Sequence, residues 1–186
     1  WSSDVCSSDL YKVVEKASQY GICEIANDNG GGQIVISGTN EALDSISYLI
    51  NGTGIKKAIK LKVSGPFHSS LMEPAKDKLH SALENVKIRN PIVPIIFNVT
   101  ASLENDVGKI KPLMLEQIVK PVRWRETISF AINNGVNTLV EIGPGNVLTN
   151  LAKRIDPSLK LISLFEADQI YEFANYIEST NQDAVS

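Results

Sequence analysis

Residues 138–165 read TLVEIGPGNVLTNLAKRIDPSLKLISLF, and this stretch decides the fold class. Thr138–Ile142 is a short apolar run ended by Gly143-Pro144-Gly145, the pattern of a strand that runs into a turn. Val147–Ile155 reads as a helix and Leu159–Phe165 as a second strand. A helix from Ala167 to Ile177 and a frayed tail at Gln182–Ser186 complete the C-terminal end. Strands separated by helices predict an α/β layer with a mostly parallel sheet.

Working towards the N-terminus, Trp124–Asn134 reads as a helix, preceded by a break at Pro121 and a short helix at Leu113–Val119. Ala101–Gly108 is polar and reads as a loop, while Pro91–Val99 is rich in Ile and Val and predicts a buried strand. Pro91 and Pro94 restrict that strand to an early or edge position. Before it comes a helix with an apolar stripe of Leu71, Ala75, Leu79, Ala82, Leu83 and Val86, fed by the breaker-rich loop Ser64–Ser70 (SGPFHSS).

The segment up to Val63 has a different rhythm. Tyr11–Tyr20 predicts a short amphipathic helix stopped by Gly21. Ile22–Asn27 and Gln33–Gly38 read as strands, and Asp28-Asn29-Gly30-Gly31-Gly32 between them tolerates positive φ, so a hairpin is expected. Thr39 or Asn40 caps a helix that runs to about Leu49. Lys56–Val63 (KKAIKLKV) alternates basic and apolar residues with the period of a half-exposed strand. Helix, strand, strand, helix, strand is a ferredoxin-like β-α-β-β-α-β unit without its first strand.

Composition narrows the function. The 186 residues carry a formal net charge of −3, with no Lys/Arg excess of the kind that tracks phosphates, so a nucleic-acid partner is not expected. No apolar run approaches the roughly 18 residues that span a bilayer. Two cysteines, Cys6 and Cys23, make neither a disulfide framework nor a zinc site, so no metal is expected and a reducing cytoplasm fits. The opening WSSDVCSSDL lacks either periodicity and reads as a foreign or disordered leader; with Trp1 in place of Met, the chain is expected to be part of a longer one.

Few side chains offer chemistry. His68, in a Gly/Pro loop just past a strand end, suits general acid–base work or else caps the following helix. His80 lies off its helix's apolar stripe and reads as surface. Gly143-Pro144-Gly145 either presents backbone N–H groups to an anion or is a tight βα turn. Lys56, Lys57, Lys60 and Lys62 form a basic stripe, either edge protection or a face for an acidic partner. No G-x-S-x-G, Walker A or CxxC motif is present. A histidine base without a nucleophile is half a catalytic site.

Residues 63–79 (VSGPFHSSLMEPAKDKL), 94–101 (PIIFNVTA), 116–124 (EQIVKPVRW), 140–155 (VEIGPGNVLTNLAKRI) and 27–38 (NDNGGGQIVISG) together resemble the malonyl-CoA:acyl-carrier-protein transacylases. The resemblance runs in order from about Tyr11 to Ile177. It implies a partial α/β-hydrolase-like acyltransferase domain with an inserted ferredoxin-like subdomain lacking its first strand. The expected divisions are a leader at 1–10, a small subdomain at 11–63, the large subdomain's C-terminal part at 64–178 and a tail at 179–186. The implied activity is ping-pong malonyl transfer in the cytoplasm from coenzyme A, as malonyl-CoA, to the phosphopantetheine thiol of acyl carrier protein, with no cofactor of its own.

The resemblance makes His68 the base, with a ring nitrogen held by the main-chain carbonyl of Gln117, and Phe67, Asn27 and Asn29 the substrate-binding residues. Phe67 either limits the acyl pocket to malonyl or fills core beneath the loop. The family's serine elbow, its oxyanion loop and its malonyl-binding arginine match nothing in this chain, so the chain alone is expected to be inactive. Two alternatives stay open: the acyltransferase domain of a polyketide synthase, and a non-catalytic binding module.

Overall fold

A computed structural model describes residues 7–183, which form two compact units, one ending at Phe130 and the other beginning at Ala131. Cys6 and the rest of residues 1–6, with residues 184–186, lie outside the described residues.

The first unit is organised around a hairpin. Strands β1 (Cys23–Asp28) and β2 (Ile34–Gly38) pair antiparallel from Cys23↔Gly38 to Asp28↔Ile34, with a bulge between Ile25 and Asn27. The turn closes because Gly30, Gly31 and Gly32 all take positive φ (74°, 56° and 76°), a run that side chains with a Cβ resist. The Asp28 carboxylate accepts the Gly30 N–H at 3.2 Å, which fixes the entry to the turn. Helices α1 (Ser7–Ala17) and α2 (Asn40–Leu49) bury Val13, Ala17, Ala42 and Ile46 in one cluster with Cys23 of the hairpin. Burial, with the Glu24 charge beside it, pushes the Cys23 thiol above its ordinary range.

Several expectations are corrected. Helix α1 begins at Ser7, inside the supposed leader, because Leu10 is apolar and buried and extends the stripe by one turn. Residues 56–63 form no strand and their side chains are exposed. Alternation alone makes no ladder; another strand must offer its backbone, and among the described residues none does. The buried strand at Pro91–Val99 shrinks to β3 (Ile95–Phe97), while Ile92 and Val93 face solvent. Its partner is β4 (Ser102–Glu104), inside the supposed polar loop. The chain reverses between them through Ala101 (φ 49°), whose N–H donates to the Phe97 carbonyl at 2.8 Å.

Helix α3 (Glu73–Leu83) follows a 3₁₀ turn at Ser70–Met72 and buries Leu83, but Val86 lies beyond its end and is exposed. Helix α4 (Val107–Val119) starts six residues before the expected Leu113. The Asp106 carboxylate accepts the Gly108 N–H at 2.8 Å and caps it, so the first turn forms ahead of Pro112. Lys76 of α3 reaches Glu116 of α4 at 2.9 Å, and Lys111 donates to the Leu83 carbonyl at 2.7 Å, so the two helices are tied at both ends. The Pro121 break leads into α5 (Trp124–Asn133).

In the second unit, β5 (Thr138–Ile142) and β6 (Lys160–Leu164) pair in parallel, joined by α6 (Val147–Ile155). Helix α7 (Ala167–Asp183) runs past the expected end at Ile177 and into the supposed tail. The mostly parallel sheet is not formed: there are three two-stranded sheets among the described residues, and β5–β6 alone is parallel. Parallel pairing needs strands brought side by side by crossovers, and here the hairpin and the β3–β4 turn pair their strands locally instead.

Candidate active site

The loop 64–70 holds His68 in the left-handed region, φ 60°. Such a conformation costs a side-chain-bearing residue on the order of 1–3 kcal/mol and persists only when its surroundings enforce it. Helix α4 supplies part of that enforcement. The last carbonyls of a helix have no partner inside it. His68 takes two of them: its backbone N–H donates to the Ile118 carbonyl at 3.1 Å, and its ring Nδ1 lies 2.8 Å from the Gln117 carbonyl oxygen.

That second contact fixes the tautomer. A carbonyl oxygen only accepts, so Nδ1 carries the hydrogen and, in the neutral ring, Nε2 keeps its lone pair. Nε2 has no hydrogen-bond partner among the described residues. A positive charge formed on the ring would lie at the negative end of α4. The imidazole is therefore an oriented base with its receiving atom unoccupied.

Polar bonds to the hairpin hold both flanks of the loop. The Ser37 hydroxyl donates to the Phe67 carbonyl at 2.7 Å. The Glu24 carboxylate accepts the Ser70 N–H at 2.8 Å and the Ser70 O–H at 2.7 Å. Ser69 is fully buried and its hydroxyl closes onto the Pro66 carbonyl at 2.6 Å. Glu24, Ser37 and Ser70 were not legible as site residues, since no local motif joins positions this far apart.

The expected residues divide into two places. His68 and Gln117 meet, and Gln117 contributes its backbone carbonyl. Phe67 shares the loop, and at 47% exposure its ring faces solvent beside Gly65, so it does not fill core. Asn27 and Asn29 stand instead on the hairpin, Asn29 buried at the turn. The segment after α4 runs along β1: Val122 donates to the Ala26 carbonyl at 2.8 Å and accepts from the Asp28 N–H at 2.9 Å. Arg125 clasps the Asp28 carboxylate at 2.9 and 2.7 Å, which fixes the residue between the two asparagines. Arg123 forks onto Glu126, holding that carboxyl below its usual range, and donates to the Val99 and Thr100 carbonyls. Arg123 and Glu126 stand at i, i+3, a spacing from which the pair could have been read in the sequence.

The other sequence candidates resolve differently. His80 lies on the surface, 3.9 Å from Glu84. The α6 N-terminus is already capped: the Glu141 carboxylate accepts the Leu148 and Thr149 N–H groups at 3.0 and 2.8 Å. Burial would raise the Glu141 carboxyl, but these bonds outweigh it and hold it below the ordinary range. Gly143-Pro144-Gly145 thus leads into a helix end whose donors at Leu148 and Thr149 are taken by the protein itself. Of the basic stripe, Lys60 pairs with Asp44 at 3.1 Å.

A family profile described as "Acyl transferase domain" matches residues 14–164. The chain is 40% identical over 176 residues to the malonyl CoA-acyl carrier protein transacylase of Bacillus subtilis, covering 94% of this chain and 56% of that protein. Among solved structures it resembles the acyl-carrier-protein-S-malonyltransferase of Bartonella henselae, with a TM-score of 0.86, 43% identity and coverage of 94% of this chain and 56% of that one. It also resembles a malonyl-transacylase solved in complex with a type II PKS acyl-carrier protein, with a TM-score of 0.82, 36% identity and coverage of 90% and 55%. The chain spans about half the length of the curated relatives it matches. No helix among the described residues is long and apolar enough to cross a membrane.

Proposed function

The chain belongs to the acyl transferase domain family, and from that premise we propose that it carries the base-bearing part of a malonyl-CoA:acyl-carrier-protein transacylase, working in the cytoplasm. The observation that supports this most is the 2.8 Å contact between His68 Nδ1 and the Gln117 carbonyl, which leaves Nε2 free to accept a proton.

His68 Nε2 takes the proton of a serine hydroxyl supplied by sequence outside these 186 residues. The serine oxygen attacks the thioester carbonyl of malonyl-CoA, and the carbon–sulfur bond breaks. Coenzyme A leaves with the proton returned from the imidazolium, and malonyl remains as a serine ester. The phosphopantetheine thiol of the carrier then gives its proton to Nε2 and attacks the ester, and the serine oxygen recovers the proton. His68 and Gln117 form the catalytic pair, Gln117 through its carbonyl. Phe67, exposed next to His68, and Asn27 and Asn29 on the hairpin are the substrate-contacting residues.

The proposed architecture is a partial α/β-hydrolase-like domain at 64–178 with a ferredoxin-like insert at 11–63 lacking its first strand. The antiparallel hairpin with α1 and α2 packed in its cluster supports the insert. A polyketide carrier as the acceptor is the second reading, favoured by the likeness to a transacylase bound to a type II PKS acyl-carrier protein.

Transfer of radiolabelled malonyl from coenzyme A to purified carriers tests the proposal. The full-length polypeptide of the parent gene, upstream sequence and this chain together, should label carrier protein, and the carrier labelled faster, fatty-acid or polyketide, separates the two readings. The 186-residue chain alone should give no more label than buffer. Turnover by that chain, lost on His68→Ala, would refute the need for an outside serine; no turnover by the parent polypeptide would make the chain part of a non-catalytic module.

A further inference from the structure

Glu24 and Ser37 are directly opposite each other in the β1–β2 register, so their side chains leave the hairpin on the same face. Both end on the histidine loop. Ser37 donates to the carbonyl of the residue before His68, and Glu24 accepts the N–H and O–H of Ser70, two residues after it. Three bonds from one cross-strand pair therefore bracket a residue held at positive φ.

We propose that the Glu24–Ser37 pair is a positioning clamp that holds His68 in its left-handed conformation with Nδ1 on the Gln117 carbonyl; this rests on the reading of His68 as the base. The physical reason is one of constraint. Helix α4 offers His68 two carbonyls, but an unconstrained loop relaxes to ordinary φ and turns the ring away. Fixing positions 67 and 70 leaves residues 68 and 69 little freedom, and buried Ser69, bonded back to Pro66, removes more of it. The clamp also joins the base to the hairpin that carries Asn27 and Asn29, so a shift of the turn is transmitted to the ring. Neither clamp residue meets the reacting atoms; both act through His68.

The test reads the ring itself. In the ¹⁵N-labelled 186-residue chain, long-range proton–nitrogen spectra resolve the tautomers of its two histidines, with His80→Gln used to assign them. The measurement is made at alkaline pH, where imidazoles are neutral. Glu24→Ala with Ser37→Ala should lower the Nδ1–H to Nε2–H ratio of His68 roughly tenfold, the scale of one hydrogen bond, and leave His80 unchanged. Glu24→Gln, which keeps an oxygen for the Ser70 N–H, should restore much of the ratio. A His68 ratio unchanged in the folded double variant would overturn the clamp, as would an equal shift of His80. Should that variant fail to fold, Ser37→Ala with Ser70→Ala is read by the same criterion. An Nδ1–H form absent from the unsubstituted chain would refute the base reading instead, so the two failures are distinguishable.

Discussion

In the parent enzyme, His68→Ala should slow malonyl transfer by roughly 10²–10⁴-fold, the range for losing a positioned general base. The deficit should fall on kcat for both half-reactions, because in the proposed mechanism the same Nε2 takes a proton from the serine and later from the carrier thiol. Gln117→Ala should be mild by comparison. Its contribution is the backbone carbonyl 2.8 Å from Nδ1, and alanine keeps that carbonyl. Steady-state assay of the two variants beside the parent checks both statements. A severe loss in Gln117→Ala with the fold intact would mean that the amide side chain takes part; a His68→Ala enzyme close to parental rate would remove His68 from the chemistry.

The second large effect is structural. Gly38→Ala should destabilise the first unit by about 3 kcal/mol, the upper end of what overpacking costs. Gly38 stands opposite Cys23, and a Cβ placed there would lie 2.0 Å from the Ile22 carbonyl oxygen. That carbonyl is main chain and already accepts the Thr39 N–H at 2.9 Å, so no flexible side chain can yield. The strand must move, and Ser37, next to Gly38 and bonded to the His68 loop, moves with it. Gly52→Ala is the comparison: φ is +77° but nothing lies within 4 Å, so the cost is backbone strain alone, about 1 kcal/mol. Urea denaturation followed by circular dichroism separates the two. Equal midpoints for both variants would show that the hairpin absorbs the added methyl.

What was legible in the sequence was local. The hairpin at Cys23–Gly38 declares itself because three glycines stand between two apolar runs, and α6 declares itself between the strands it joins. The strand at Ser102–Glu104 does not, because three residues, two of them polar, carry no period; it exists because Ile95–Phe97 folds back onto it. The exposed alternation at 56–63 shows the converse, a strand pattern that no neighbour completes. His68 was legible as a candidate from residue type and loop position. Its left-handed backbone and its hold on α4 were not, since both depend on carbonyls some fifty positions away. Gln117 is the extreme case: a backbone carbonyl leaves no side-chain signature, and only resemblance to a family points to it.

The most direct measurement is the tautomer of His68 in the unsubstituted chain. Neutral imidazole should show a protonated Nδ1 and a bare Nε2, because the Gln117 oxygen at 2.8 Å accepts a hydrogen and offers none. A hydrogen on Nε2 would contradict the account, for the ring would then present a donor where the serine's proton has to be received.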